Sequence, residues 1–235
     1  MTSGKTALEP LRAENAVLAF VAGYVDTLGF VALFGLFTAH VTGNFILIGS
    51  GLAGAGNGLL IKWLAFPAFV AGIVGARLVD DTLRLRTSGV RVGLLYFLQI
   101  ALLGAFMCAG LFAAPITSAD APLTIACGLL GAASMGVQNA HGRLTARAVV
   151  ANTVMTGNVT QAVIDAFDLF ASRTGEAERS AARGRLVSTL PPVLAFAVGA
   201  GAGAGGWLVA SFWALLLPLA LLTAVATLAC RKADS

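Results

Sequence analysis

The sequence is poor in charge. Only 11% of its 235 residues are Asp, Glu, Lys or Arg, against 58% hydrophobic, and the mean hydropathy is +0.88. Soluble domains carry about 25% charged residues, so this chain has too little polar surface to coat a globule, and a water-soluble domain is excluded. Histidine is scarce as well, with two copies, and neither has the companions a metal site needs. Cys108, Cys127 and Cys230 lie in or at the ends of apolar runs, where they serve as small packing residues and not as a disulfide framework. His-Glu-x-x-His and Gly-x-Ser-x-Gly are both missing, which argues against an enzyme, and no cofactor is expected.

What the chain does have is long apolar runs. Six reach the roughly 20 residues a bilayer crossing requires: 16–38, 61–79, 92–114, 122–142, 187–206 and 207–229. Residues 1–15 form a polar cytoplasmic leader, because the run that follows is too long for a signal core. Basic residues gather at Lys5 and Arg12, at Arg77, Arg84, Arg86 and Arg91, and at Arg143 and Arg147. Further ones stand at Arg173, Arg179, Arg183 and Arg185, then at Arg231 and Lys232, whereas the connection 115–122 has none. The positive-inside rule places the basic loops and both termini in the cytoplasm and 115–122 outside. The formal net charge of +4 follows from that topology and from anionic headgroups, with no nucleic-acid partner.

The tripeptide Thr-Gly-Asn occurs twice, at Thr42-Gly43-Asn44 and at Thr156-Gly157-Asn158, 114 positions apart. Upstream, Gly23, Asp26 and Gly29 fall on Gly136, Asn139 and Gly142 at an offset of 113. Each tripeptide opens a segment left over by the six spans, 44–58 and 158–172. The first dissolves into glycine, and the second carries Gln161, Asp165 and Asp168, which are expensive against lipid. Both are expected to be short re-entrant or interfacial helices, since irregular backbone at membrane depth needs cover from protein or a hydrated cavity. The fold expected is an all-α integral membrane protein with six transmembrane helices plus these two short helices, built as an inverted-topology repeat. Residues 16–114 make the first unit and 123–229 the second, with a cytoplasmic tail at 230–235.

Asp26 is the sharpest candidate for chemistry, because intramembrane carboxylates face a bundle interior or a polar path. Arg143 aligns one turn beyond it and is a conceivable charge partner. In each tripeptide, Thr or Asn can cap a helix start and glycine permits close approach. Two such starts meeting in the membrane would suit an anionic or carbonyl-bearing ligand. Gln138 and Asn139 are the second half's counterpart of the Asp26 region, as ligand contacts or interhelical glue. Gln99 leans toward glue, and His40 reads as an interfacial histidine. The expected ligand-binding set is therefore Asp26, Thr42, Gly43, Asn44, Gln138, Asn139, Thr156, Gly157 and Asn158.

The runs Gly23-Tyr24-Val25-Asp26 and Val41-Thr42-Gly43-Asn44, then Met135-Gly136-Val137-Gln138-Asn139-Ala140 and Met155-Thr156-Gly157-Asn158, resemble the YoaK family over residues 16–229. That resemblance implies a small polytopic protein of the bacterial inner membrane, with no established substrate. The function expected from the residues is a small-solute or ion transporter with a central polar site at the repeat interface, proton-coupled through Asp26. Its partners would be the bilayer and an unidentified small molecule or ion, and the glycine-rich faces could equally serve homo-oligomers. The alternatives are a scaffold or accessory subunit, a channel, and an intramembrane enzyme.

Overall fold

The computed structural model describes residues 3–145, 150–151, 153, 155–171 and 175–233, with side chains described over 9–145, 150–151, 153, 155–171 and 175–231. Arg147 and Arg173 lie outside the described residues, as do the side chains of Lys5 and Lys232. The helices are α1 Ser3–Ala32, α2 Gly43–Leu52, α3 Leu59–Thr82, α4 Ser88–Ala113, α5 Pro122–Leu144, α6 Met155–Phe170, α7 Glu176–Ala210 and α8 Leu216–Ala233. A short 3-10 turn, Ser211–Leu215, separates the last two. Among the described residues, five helical stretches are long and apolar enough to cross a membrane, the last being Glu176–Arg231 with 56 residues. The protein is an all-helical membrane protein.

The first apolar run does not stay helical to residue 38. Phe34 and Gly35 adopt positive φ of 55° and 76°, and the Gly35 amide donates back to the Phe30 carbonyl at 2.9 Å. This left-handed ending terminates α1 at Ala32, where hydropathy alone would carry it on. Residues 33–42 then fold back along α1 before α2 starts. The Lys62 ammonium donates to the carbonyls of Phe34, Asn57 and Gly58, so the two ends of the 33–58 excursion are tied together beside the start of α3. The segment enters and leaves at the same end. With ten residues, α2 is about 15 Å long and cannot span.

Close helix packing holds the bundle. A Cβ at Gly23 would collide with the Phe196 carbonyl oxygen, and one at Gly199 with that of Phe20, so α1 and α7 touch backbone to backbone. Gly136 meets the Phe69 carbonyl and Gly72 that of Ala133, which seals α5 onto α3 in the same manner. In sequence terms these are equivalent contacts, since Gly23 and Phe20 match Gly136 and Ala133. Contacts of this kind favour small residues, because between helices in lipid the attraction is dispersion at short range. Tyr96, Phe106 and Phe212 fill the interior, and the Tyr24 hydroxyl donates to the Ala214 carbonyl at 3.0 Å. Outward faces are apolar, with Ile46, Leu78, Phe97 and Phe167 exposed to the bilayer.

Candidate functional site

Asp26 is buried in α1 and receives the folded-back chain. Its Oδ1 accepts the Thr38 and Ala39 amides at 2.7 Å each and the Thr38 hydroxyl at 3.3 Å. Its Oδ2 lies 2.7 Å from His40 Nδ1. Both oxygens are therefore committed to residues 38–40. Arg143, the expected charge partner, is exposed at the end of α5, and the side chain bonded to Asp26 Oδ2 is that of His40. That corrects the pairing: a return loop next in sequence supplies the partner, not the opposite half.

The asparagines of the two tripeptides also bond to nearby backbone. Asn44 is fully buried; its Oδ1 accepts the Phe37 amide at 3.0 Å, and its Nδ2 donates to the Phe37 carbonyl at 2.8 Å. Asn158 is buried too, with Nδ2 donating to the Ala151 carbonyl at 2.6 Å. Each asparagine thus grips the backbone seven residues upstream, where the chain is not helical. Such backbone groups must be paired when they sit away from water. Asn44 and Asn158 each clamp a non-helical stretch of backbone.

Nor does the first tripeptide present a free helix end. Thr42 makes no side-chain cap, and the amides of Gly43, Asn44 and Phe45 are taken by the carbonyls of His40, Val41 and Thr42. The expectation of a bare positive helix end at α2 is corrected accordingly. Gln138 is corrected as well. It is fully buried, accepting from Gln99 at 2.7 Å and donating to the Leu18 carbonyl at 2.8 Å, so it glues α5 to α4 and α1.

Other expected residues do converge. A cavity of about 290 Å³ is lined by His40, Thr42, Asn139, Thr153 and Thr156, among others. Thr42 and Thr156, the leading residues of the two tripeptides, face the same space. Asn139 donates through Nδ2 to Thr153 Oγ1 at 2.7 Å, holding the second return segment to α5 much as Asp26 holds the first to α1. Gly43 lines an adjoining groove instead, and Gly157 is exposed without lining either space.

A family model described as "Protein of unknown function (DUF1275)" matches residues 15–228. The chain belongs to that family. One relative, the "UPF0700 transmembrane protein YoaK" of Bacillus subtilis (strain 168), is 26% identical over 151 residues, which is 64% of this chain and 64% of that protein. The match thus spans somewhat under two thirds of the relative's length. No solved structure matches. The resemblance to the YoaK family therefore stands, and the printed name of the relative agrees with a transmembrane location.

Within this DUF1275 chain, the residue that spacing undervalued is His40. It is half-buried, its ring packs edge-on against Phe196 of α7 at 5.2 Å, and Asp26 engages Nδ1. Among the described residues, no hydrogen bond is made to the other ring nitrogen, Nε2, which faces the cavity. Since Oδ1 of Asp26 is saturated by two backbone donors, a proton can reside on the Oδ2–Nδ1 axis or on Nε2, but not on Oδ1. The Asp26 carboxylate and the His40 ring thus form one hydrogen-bonded pair. The available signal was the pairing of one membrane carboxylate with a histidine 14 residues later beside a helix break.

Proposed function

We propose that this chain is a small-solute transporter of the bacterial cytoplasmic membrane whose substrate occupies the cavity shared by His40, Thr42, Asn139 and Thr156. The observation that carries this reading is that equivalent threonines of the two tripeptides line one space. In transporters built from repeats, the substrate sits where the two copies meet. Supporting an inverted repeat, the glycine contacts exchange partners between halves: α1 rests on α7, and α5 rests on α3. With α7 and α8 counted as separate crossings, each half has three spans and one short helix. An odd number of crossings leaves the halves oppositely oriented, with both termini and the linkers near Arg84 and Arg183 in the cytoplasm.

In this reading the halves rock about their glycine contacts to expose the cavity alternately, and His40 with Asp26 couples that motion to a proton. We assign the chain no enzymatic activity. The internally satisfied Asn44, Asn158 and Gln138 favour a second reading, a membrane scaffold in which the same bonds only fix shape.

Proteoliposomes separate the two. The transporter reading expects some solute to collapse an imposed pH gradient faster than in empty vesicles, with the effect abolished in Asp26→Asn and His40→Gln. A broad solute panel that gives no protein-dependent flux, or cysteines at positions 84 and 183 labelled from opposite sides, would refute it.

A further inference from the structure

Two cavities meet at His40 and Thr42. The polar one is described above. The second, about 410 Å³, continues from the same two residues along Phe37, Ile46 and Leu47 and is apolar. Ile46 is 77% exposed, so this groove runs out onto the face of α2 that meets lipid. Among the described residues lining both spaces, His40 is the sole titratable side chain; the remaining polar groups are threonine hydroxyls and the Asn139 amide.

We propose that the substrate is a small carboxylic acid with an apolar tail, its acid group at His40 and its tail in the Phe37–Ile46–Leu47 groove. This deepens the transporter reading above and rests on it. Both oxygens of Asp26 already engage residues 38–40, so the titratable atom that faces the cavity is His40 Nε2. A neutral acid can pass its proton to His40 Nε2. The acid O–H bond breaks, an Nε2–H bond forms, and a carboxylate remains beside an imidazolium whose Nδ1 is held by Asp26. No net charge enters the membrane in this step. The hydroxyls of Thr42 and Thr156 can donate to the carboxylate, and the polar cavity and the apolar groove share the residues His40 and Thr42.

The test is equilibrium binding of radiolabelled hexanoate to the full chain in nanodiscs, competed with butanoate, hexanoate, octanoate, hexylamine and hexanol. The inference expects saturable binding above empty nanodiscs, and affinity rising by up to roughly fourfold per added methylene. It expects no competition from hexylamine, and a loss of at least about tenfold in His40→Gln. Leu47→Ala should weaken octanoate more than butanoate and so flatten the chain-length series, which keeps the inference testable if His40→Gln does not fold. Equal binding to empty nanodiscs, competition by hexylamine, or a flat series in wild type would overturn it. Saturable hexanoate binding without protein-dependent flux of any solute would instead remove the transporter reading. Flux of another solute without hexanoate binding would remove only the substrate assignment.

Discussion

Removing the Asp26 carboxylate isolates the contribution of the return loop. In Asp26→Ala, the Thr38 and Ala39 amides lose their acceptor inside the bundle. Each buried, unpaired donor costs about 1–3 kcal/mol, so the pair amounts to about 2–6 kcal/mol. Asp26→Asn behaves differently. Its amide oxygen can occupy the Oδ1 position and keep both backbone bonds, and its NH₂ then donates to His40 Nδ1, which forces the proton of the neutral ring onto Nε2. The expected loss is about 1–2 kcal/mol, from replacing a charged acceptor with a neutral one. Steric-trap unfolding in bicelles gives the free energies, and maleimide labelling of a cysteine at position 39 reports whether the loop has left α1. The reasoning predicts fast labelling in the alanine variant and protection in the asparagine variant. An Asp26→Ala protein within about 0.5 kcal/mol of wild type, with position 39 still protected, would falsify the clamp.

Asn44→Ala should destabilise by about 2–6 kcal/mol in the same unfolding measurement, because Asn44 satisfies both the amide and the carbonyl of Phe37, and a loss under about 0.5 kcal/mol would contradict the clamp. Gly23→Ala and Gly136→Ala should each cost at least about 1–3 kcal/mol, since the new methyl meets a backbone carbonyl that cannot rotate away. Their near equality, read from matched unfolding curves, tests the equivalence of the α1–α7 and α5–α3 contacts.

Composition sufficed for the membrane class, because a charge fraction of 11% leaves few other solutions. The repeated tripeptide and the aligned Gly23 and Gly136 pointed to the right elements, since close backbone approach demands glycine whatever surrounds it. The roles of individual polar residues were less legible. Spacing places Asn44 near Asp26 but does not reveal that the chain between them is non-helical, so its backbone groups outrank any ligand as partners. Hydropathy cannot see the left-handed turn at Phe34 and Gly35, because those residues are apolar on either side of the break. His40 was undervalued for the same reason: without the fold-back, it stands far from Asp26 along an extended helix.

The two halves differ where they should match most closely if symmetry were the whole design. Asp26 and His40 of the first half align with Asn139 and Val154 of the second, so the carboxylate–histidine pair is present once. A neutral clamp is enough to hold a return loop, as the bond from Asn139 to Thr153 demonstrates. In the transporter reading, the charge at position 26 has a task beyond holding the loop. Exchanging the two residues, Asp26→Asn with Asn139→Asp, keeps the total charge and a hydrogen-bonding side chain at each site. At position 139 the carboxylate can accept from the Thr153 hydroxyl, which reverses its direction. The double variant is expected to fold to within about 2–3 kcal/mol of wild type, on two altered hydrogen bonds, yet to give no proton-linked flux, because the new carboxylate has lost the histidine held by residues 38–40. Restored flux in this variant would mean that any carboxylate near the cavity suffices, and the Asp26–His40 dyad would lose its special place.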